Sequence, residues 1–286
     1  MAIITFINNG QEETGKTLSL VAIATNMAIE DNNRILIVST TSKRDKIRDC
    51  FFGVDETKKV KMGLFSDNKK RIDNENGIEG IAKIVRSNKL TPEIITNYTR
   101  VIFKDRLEVI LGTEKKFTED DEITEEDIEE EYFNLINVAN MYYDKVFVDL
   151  DDNLSEETRE KICKISNLII VSTSQNLTSL EKLKKEKETN EILKSPKSLI
   201  LIGRYDRYSK YNTKNITRYL EEKNQVLTVP YNTLYFEASN ESSVPDLFLR
   251  FRRLNDPFDR NTMFIDEVKR TSENIKYRLQ ELQARI

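Results

Sequence analysis

Histidine is absent from all 286 residues, which removes Ser-His-Asp and Cys-His catalysis together with His-ligated zinc or non-haem iron. Any chemistry must run on Lys, Asp, Glu and Thr. Cysteine is scarce: Cys50 and Cys163 are too few and too far apart for a disulfide framework or a metal knuckle, so both are expected to be buried hydrophobes in a reducing compartment. Eight glycines and five prolines leave no flexible linker and no repeat of solenoid length. No apolar run approaches the ~18 residues of a membrane span, and Met1 to Phe6 lack a basic leader region, which predicts a cytoplasmic protein. Charge is nearly balanced, 45 Lys plus Arg against 49 Asp plus Glu, and a 38% hydrophobic content suffices for one sizeable core.

Short β-branched runs alternate with helical patterns. The runs are Ile3 to Ile7, Ile35 to Val38, Leu107 to Leu111, Val146 to Val148, Leu168 to Val171, Leu199 to Ile202 and Val226 to Val229. Several are apolar at consecutive positions, as parallel strands covered on both faces must be, so the pattern predicts an α/β fold with a doubly wound, mostly parallel sheet. From Glu119 to Glu131 ten of thirteen residues are acidic, which reads as a solvated loop and helix start or as a surface for a basic partner. Near the end, Ile265, Val268, Ser272, Ile275, Leu279, Leu282 and Ile286 form a heptad-like seam, suited either to another chain or to the protein's own sheet. A basic membrane anchor is disfavoured because acidic and basic residues nearly balance there.

Directly after the first strand stands Gly10-Gln11-Glu12-Glu13-Thr14-Gly15-Lys16-Thr17, a complete GxxxxGK[ST] phosphate loop, followed by a helical pattern from Leu18 to Glu30. Its glycines allow backbone N–H groups to wrap a phosphate, and the N-terminus of the new helix adds its dipole. Gly10 to Leu18 are thus the nucleotide-binding residues: Lys16 reaches the β- and γ-phosphates and is the catalytic cation, the Thr17 hydroxyl binds Mg²⁺, and Glu12 and Glu13 point away. A carboxylate for Mg²⁺ is expected at the end of a neighbouring strand, and Val146-Phe147-Val148-Asp149 supplies it. Asp151 and Asp152 follow; either is a candidate to position water, or the pair caps a turn.

The N-terminal phosphate loop, Ile35 to Val38, Val146 to Asp149, and Leu168 to Thr173 with Leu177 to Leu180 resemble the ParA/MinD family of deviant Walker ATPases. Gly77 to Ile81 through Leu107 to Gly112, Leu199 to Asp206, and Val229 to Asn232 extend the resemblance over about residues 1–250, with the middle and C-terminal stretches most similar to the pilus-localising TadZ/CpaE branch. It implies a P-loop domain over 1–255 and a C-terminal helix over 256–286, ATP and Mg²⁺ as cofactors, a nucleotide-dependent homodimer, and a protein or DNA partner that is positioned or partitioned. Arg204 and Pro230 fall beside the base. Three departures stand out. The family's trans-acting lysine is replaced by Gln11, its Asp-x-Asp after the second strand by Ser39-Thr40-Thr41, and its adenine-reading Asn by Gly203. A hydroxyl cannot do the electrostatic work of a carboxylate, so hydrolysis is expected to be slow unless Asp151 or Asp152 substitutes. A non-hydrolysing, nucleotide-stabilised scaffold is the first alternative, and a small-molecule kinase the second. Non-specific DNA binding would use Arg204, Arg207, Lys210, Lys214 and Arg218 together with Arg250, Arg252 and Arg253, provided that they share one face.

Overall fold

A computed structural model describes residues 1–9, 13–42, 45–53, 77–85, 90–113, 123–254 and 256–284. Eight strands form one sheet: β1 (Ala2–Asn8), β2 (Ile35–Ser39), β3 (Arg100–Phe103), β4 (Leu107–Ile110), β5 (Lys145–Asp149), β6 (Leu168–Thr173), β7 (Ser198–Tyr205) and β8 (Leu227–Pro230). Their order is β3-β4-β2-β5-β1-β6-β7-β8, and every pairing is parallel except the β3/β4 hairpin at one edge. This is the doubly wound sheet that the alternation predicts. β3 has no counterpart in the sequence reading; it is a four-residue edge strand, and Asp105 in the left-handed region turns it tightly into β4.

Helix α1 (Lys16–Glu30) is buried almost all round from Ser19 to Ala28, as expected of a helix apolar on every side. It shares one face of the sheet with α2 (Lys46–Phe51), α10 (Thr233–Ala238), α11 (Val244–Phe251) and α12 (Arg260–Gln283). On that face the alternate residues Ile4 and Phe6, Ile35 and Ile37, and Leu199 and Leu201 point into the core. Ile3, Leu36, Val38, Val146, Val148, Ile200 and Ile202 point the other way. They meet α3 (Ile78–Val85), α4 (Pro92–Thr96), α5 (Glu125–Ala139), α6 (Glu156–Ile165), α7 (Leu177–Thr189), α8 (Glu191–Lys194) and α9 (Thr213–Leu220).

The C-terminal seam packs in cis. Ile265, Val268, Ser272, Ile275 and Leu279 are buried, Leu282 is partly buried, and α12 lies against β8 and α1. Ser272, the polar member, returns its hydroxyl to the Val268 carbonyl at 2.9 Å and so enters the core satisfied. Ile286 lies outside the described residues, as do Glu119 to Glu122 of the acidic run. The described remainder of that run starts α5: Thr124 and Asp127 form a reciprocal capping box, and the acidic residues sit where the helix dipole favours them. Both cysteines are buried, and burial pushes the Cys50 thiol up to about 12 and that of Cys163 to about 11. Among the described residues no helix is long and apolar enough to cross a membrane.

Candidate functional site

β1 lies between β5 and β6 near the middle of the sheet, so the chain leaving its carboxyl end enters α1 where parallel strands present a crevice. Gly10, Gln11 and Glu12 of the predicted loop lie outside the described residues. Gly15 adopts φ 79°, a conformation that glycine reaches without strain, and opens α1 with no side-chain cap. By contrast α2, α5, α6, α7, α9 and α12 are all capped by the side chain of an Asp, Thr, Ser or Asn. Nothing acidic occupies the first turn of α1, so its dipole is left for an outside anion. Glu13 points away, its side chain 82% exposed.

Three predicted residues converge at the start of this helix. Lys16 Nζ lies 2.9 Å from Asp149 Oδ1 and also donates to the Leu150 carbonyl. The Thr17 hydroxyl donates to Asp149 Oδ2 at 2.7 Å. Lys16 and Asp149 are both more than nine-tenths buried. Although ion-paired, Asp149 Oδ1 accepts no aligned hydrogen bond, a buried acceptor with capacity to spare. Hydroxyl, carboxylate and ammonium in this order suit a magnesium phosphate: two hard oxygens for the cation and a compact charge for the anion. Thr14 is held from behind by Asn8, whose Oδ1 accepts its hydroxyl at 2.6 Å. Leu18 joins the core through its side chain, while its carbonyl accepts the buried Tyr235 hydroxyl at 2.6 Å.

The two water-positioning candidates are not equivalent. Asp151 Oδ1 accepts the Asn153 N–H at 2.8 Å in a local turn. Asp152 Oδ2 accepts from Asn8 Nδ2 at 3.0 Å, which ties it to the residue that holds Thr14. A third carboxylate, not selected from the sequence, stands nearer the end of β2. Asp45 is 1% exposed, accepts the N–H groups of Ile47 at 2.9 Å and Gly112 at 3.1 Å, and borders Ser39. Burial raises its pKa; the Ser39 hydroxyl and the two N–H groups pull it back, and the charge of Asp149 pushes it up again. Its signal in the sequence was only that of a helix cap, Asp45 before Lys46-Ile47.

At the end of β7 the structure explains Gly203. A Cβ there would lie 2.3 Å from the Thr14 carbonyl oxygen, so β7 abuts the loop and this position admits no side chain. A bulge between Gly203 and Tyr205 puts Arg204 at φ 52°; its side chain packs over Gly15 and reaches Glu13 at 3.5 Å. Beyond it, Tyr205, Pro230, Tyr231, Met263 and Phe264 line a cavity of about 600 Å³. Pro230 thus lines this cavity and Arg204 lies at the loop. Arg204 sits at the start of α1, whereas Arg252 lies 3.7 Å from Glu30 at its far end, about 20 Å away for a fifteen-residue helix.

The fold and this corner define a P-loop α/β architecture, and the solved structures narrow it: the chain has the fold of the ParA and MinD ATPases. It is similar to a ParA family ATPase from Chlorobium tepidum TLS, at 13% identity over 97% of this chain and 98% of that one, with a TM-score of 0.65. A putative plasmid partition protein from Borrelia burgdorferi B31, bound to AMPPNP, matches at 17% identity over 96% and 98%, with a TM-score of 0.61. The septum site-determining protein MinD of Pyrococcus horikoshii OT3, complexed with Mg-ADP, matches at 14% identity over 93% of each chain, with a TM-score of 0.60. At these identities the likeness is one of fold. No family model and no curated protein matches the sequence.

Proposed function

We propose that this chain binds Mg-ATP at the phosphate loop, dimerises with nucleotide, and positions or partitions a partner, with slow hydrolysis. The observation that carries the reading is the Lys16–Asp149–Thr17 corner at the uncapped start of α1. Thr17 and Asp149 would hold Mg²⁺, which supplies charge neutralisation for a triphosphate; Lys16 would transfer from Asp149 to the phosphates. The cavity at Tyr205 and Pro230 would take the base, with Arg204 between base and loop. AMPPNP and Mg-ADP in two proteins of this fold support the choice of ligand. The partner is a DNA complex or a secretion, pilus or conjugation apparatus, and the TadZ/CpaE-like stretches favour the pilus. Such work belongs in the cytoplasm.

One observation favours the scaffold as a second reading: β2 ends in Ser39 beside Asp149, and Asp151 is engaged in its own turn. A single-turnover assay with radiolabelled ATP and Mg²⁺, with sedimentation in parallel, separates the two. Binding, dimerisation and measurable phosphate release are the expected result. Binding and dimerisation without release make the chain a nucleotide-stabilised scaffold, and failure to bind ATP at all sinks both.

A further inference from the structure

Helix α1 sets stability against use. Its first N–H groups have no partner within the helix, and a side chain placed to cap them would occupy the space that an anion needs. Gly15 supplies no cap, so the first turn lacks the bond that holds the other long helices at their starts. The start of α11 is uncapped too, but Pro245 in its first turn fixes the backbone there. In α1 nothing of the kind is present. Yet Lys16 and Thr17, which the proposed function requires in fixed positions, stand in this turn.

A tether reaches the turn from the far end of the chain. Tyr235 on α10 is 4% exposed, and its hydroxyl donates to the Leu18 carbonyl at 2.6 Å, across 217 residues of sequence. Leu18 is the third residue of α1 and follows Thr17 directly. A bond to this carbonyl holds the turn by its acceptor side and leaves the first N–H groups untouched. The ring that carries the hydroxyl is itself fixed. It stacks on Phe264 with centroids 4.8 Å apart and planes 28° from parallel, and Phe248 meets both rings edge-on at 6.1 Å. Asn232 Oδ1 accepts the Tyr235 N–H at 2.8 Å. Phe264 and Asn232 also line the cavity beyond Arg204, so the tether is anchored in the wall of that cavity.

We infer that Tyr235 is a positioning residue for the phosphate site: it does for α1 what an N-cap would do, without filling the place of the phosphate. It acts through Leu18 on its neighbours Thr17 and Lys16 and meets the ligand nowhere itself. The inference rests on the nucleotide reading, in which those two side chains hold the cation and the phosphates.

The test uses the full chain and AMPPNP as probe, in excess Mg²⁺ and again in EDTA, far below the urea midpoint of every variant. Tyr235→Phe keeps the stacked ring and deletes the tether. Its affinity for Mg-AMPPNP should fall about fivefold, the loss of one buried hydrogen bond. The fall should be smaller in EDTA, because Thr17, next to the tether, acts through the cation. Without nucleotide, the Ser19 N–H, which closes the first turn on the Gly15 carbonyl at 2.9 Å, should exchange with solvent about fivefold faster. Tyr143→Phe is the control. It deletes another buried hydroxyl, bonded to Glu108 at 2.6 Å just before β5, at the end of that strand away from Asp149, and should change neither affinity nor Ser19 exchange. The assignment is overturned, and the nucleotide reading kept, if Tyr235→Phe binds Mg-AMPPNP as wild type does, if its loss is no greater in Mg²⁺ than in EDTA, if Ser19 exchange is unchanged, or if Tyr143→Phe does the same. Failure of wild type to bind AMPPNP overturns both.

Discussion

Two corners of the site lie side by side, since Asp149 and Ser39 are register partners on neighbouring strands, about 4.8 Å apart. At the first, Lys16, Thr17 and Asp149 engage one another and present complementary charge to a phosphate and its cation. At the second, a hydroxyl ends the strand, and the nearest carboxylate, Asp45, is sealed in and committed to the N–H groups of Ile47 and Gly112. The first is built to bind; the second is built to hold α2 and the loop after β4 together. On the function proposed above, binding and turnover would therefore be separable, lodged in different residues.

The largest expected effect breaks the first corner. Lys16→Ala should weaken ATP binding roughly 100-fold or more, the loss of a charge-assisted contact. The structure adds a cost to that variant, because Asp149 is left buried without its partner, a change of about 3–5 kcal/mol in unfolding free energy. The double variant Lys16→Ala/Asp149→Ala removes both charges and should recover much of that stability without recovering ATP, as denaturant midpoints and filter binding can show. Tight ATP binding by either variant would remove the phosphate-loop assignment.

Next in size is Ser39→Asp. It places a third carboxylate beside Asp45 and Asp149 and should destabilise by about 1–3 kcal/mol. Adding Asp45→Asn relieves the repulsion, so the double variant is where a faster single-turnover rate is expected. An unchanged rate in a folded double variant would mean that the missing strand-end carboxylate does not explain slow turnover.

Asp45 also gives the second corner a pH signature. Its folded pKa is raised above its unfolded value, so the folded state holds the proton more tightly. Its contribution is then present below the ordinary carboxylate value near 3.8 and is lost as pH rises through the raised folded value. In Asp45→Asn this part of the pH dependence should vanish from urea midpoints, while wild type keeps it. Smallest of all is Arg204→Ala. Its contact with Glu13 is half-exposed, so stability should move by less than about 0.5 kcal/mol, and any change in nucleotide affinity reports on the side chain that packs over Gly15.

The first corner was legible because it is local. Gly15, Lys16 and Thr17 are consecutive, and a strand ending in Asp149 is a short pattern; only their meeting needed the sheet order β5-β1. The seven predicted strands all appear, since buried parallel strands write continuous apolar runs. β3 escaped because an edge strand of four residues, one face open, carries no such run. Asp45 escaped for a different reason. It reaches the end of β2 from six residues further along, and its partner Gly112 is 67 residues away, a proximity set by the β2/β4 pairing alone. The seam of α12 was legible as a seam, but whether it met this chain or another depended on β8 and α1.

The contact between Gly203 and Thr14 carries a kinetic consequence. With no room for even one added carbon between them, the end of β7 and the phosphate loop have no slack, so an inward shift of either displaces the other. Amide protons of Thr14 and Gly15 should exchange with solvent at the rate of those flanking Gly203, as one unit. A ligand that protects the loop should then slow exchange across β7 by the same factor, without touching it.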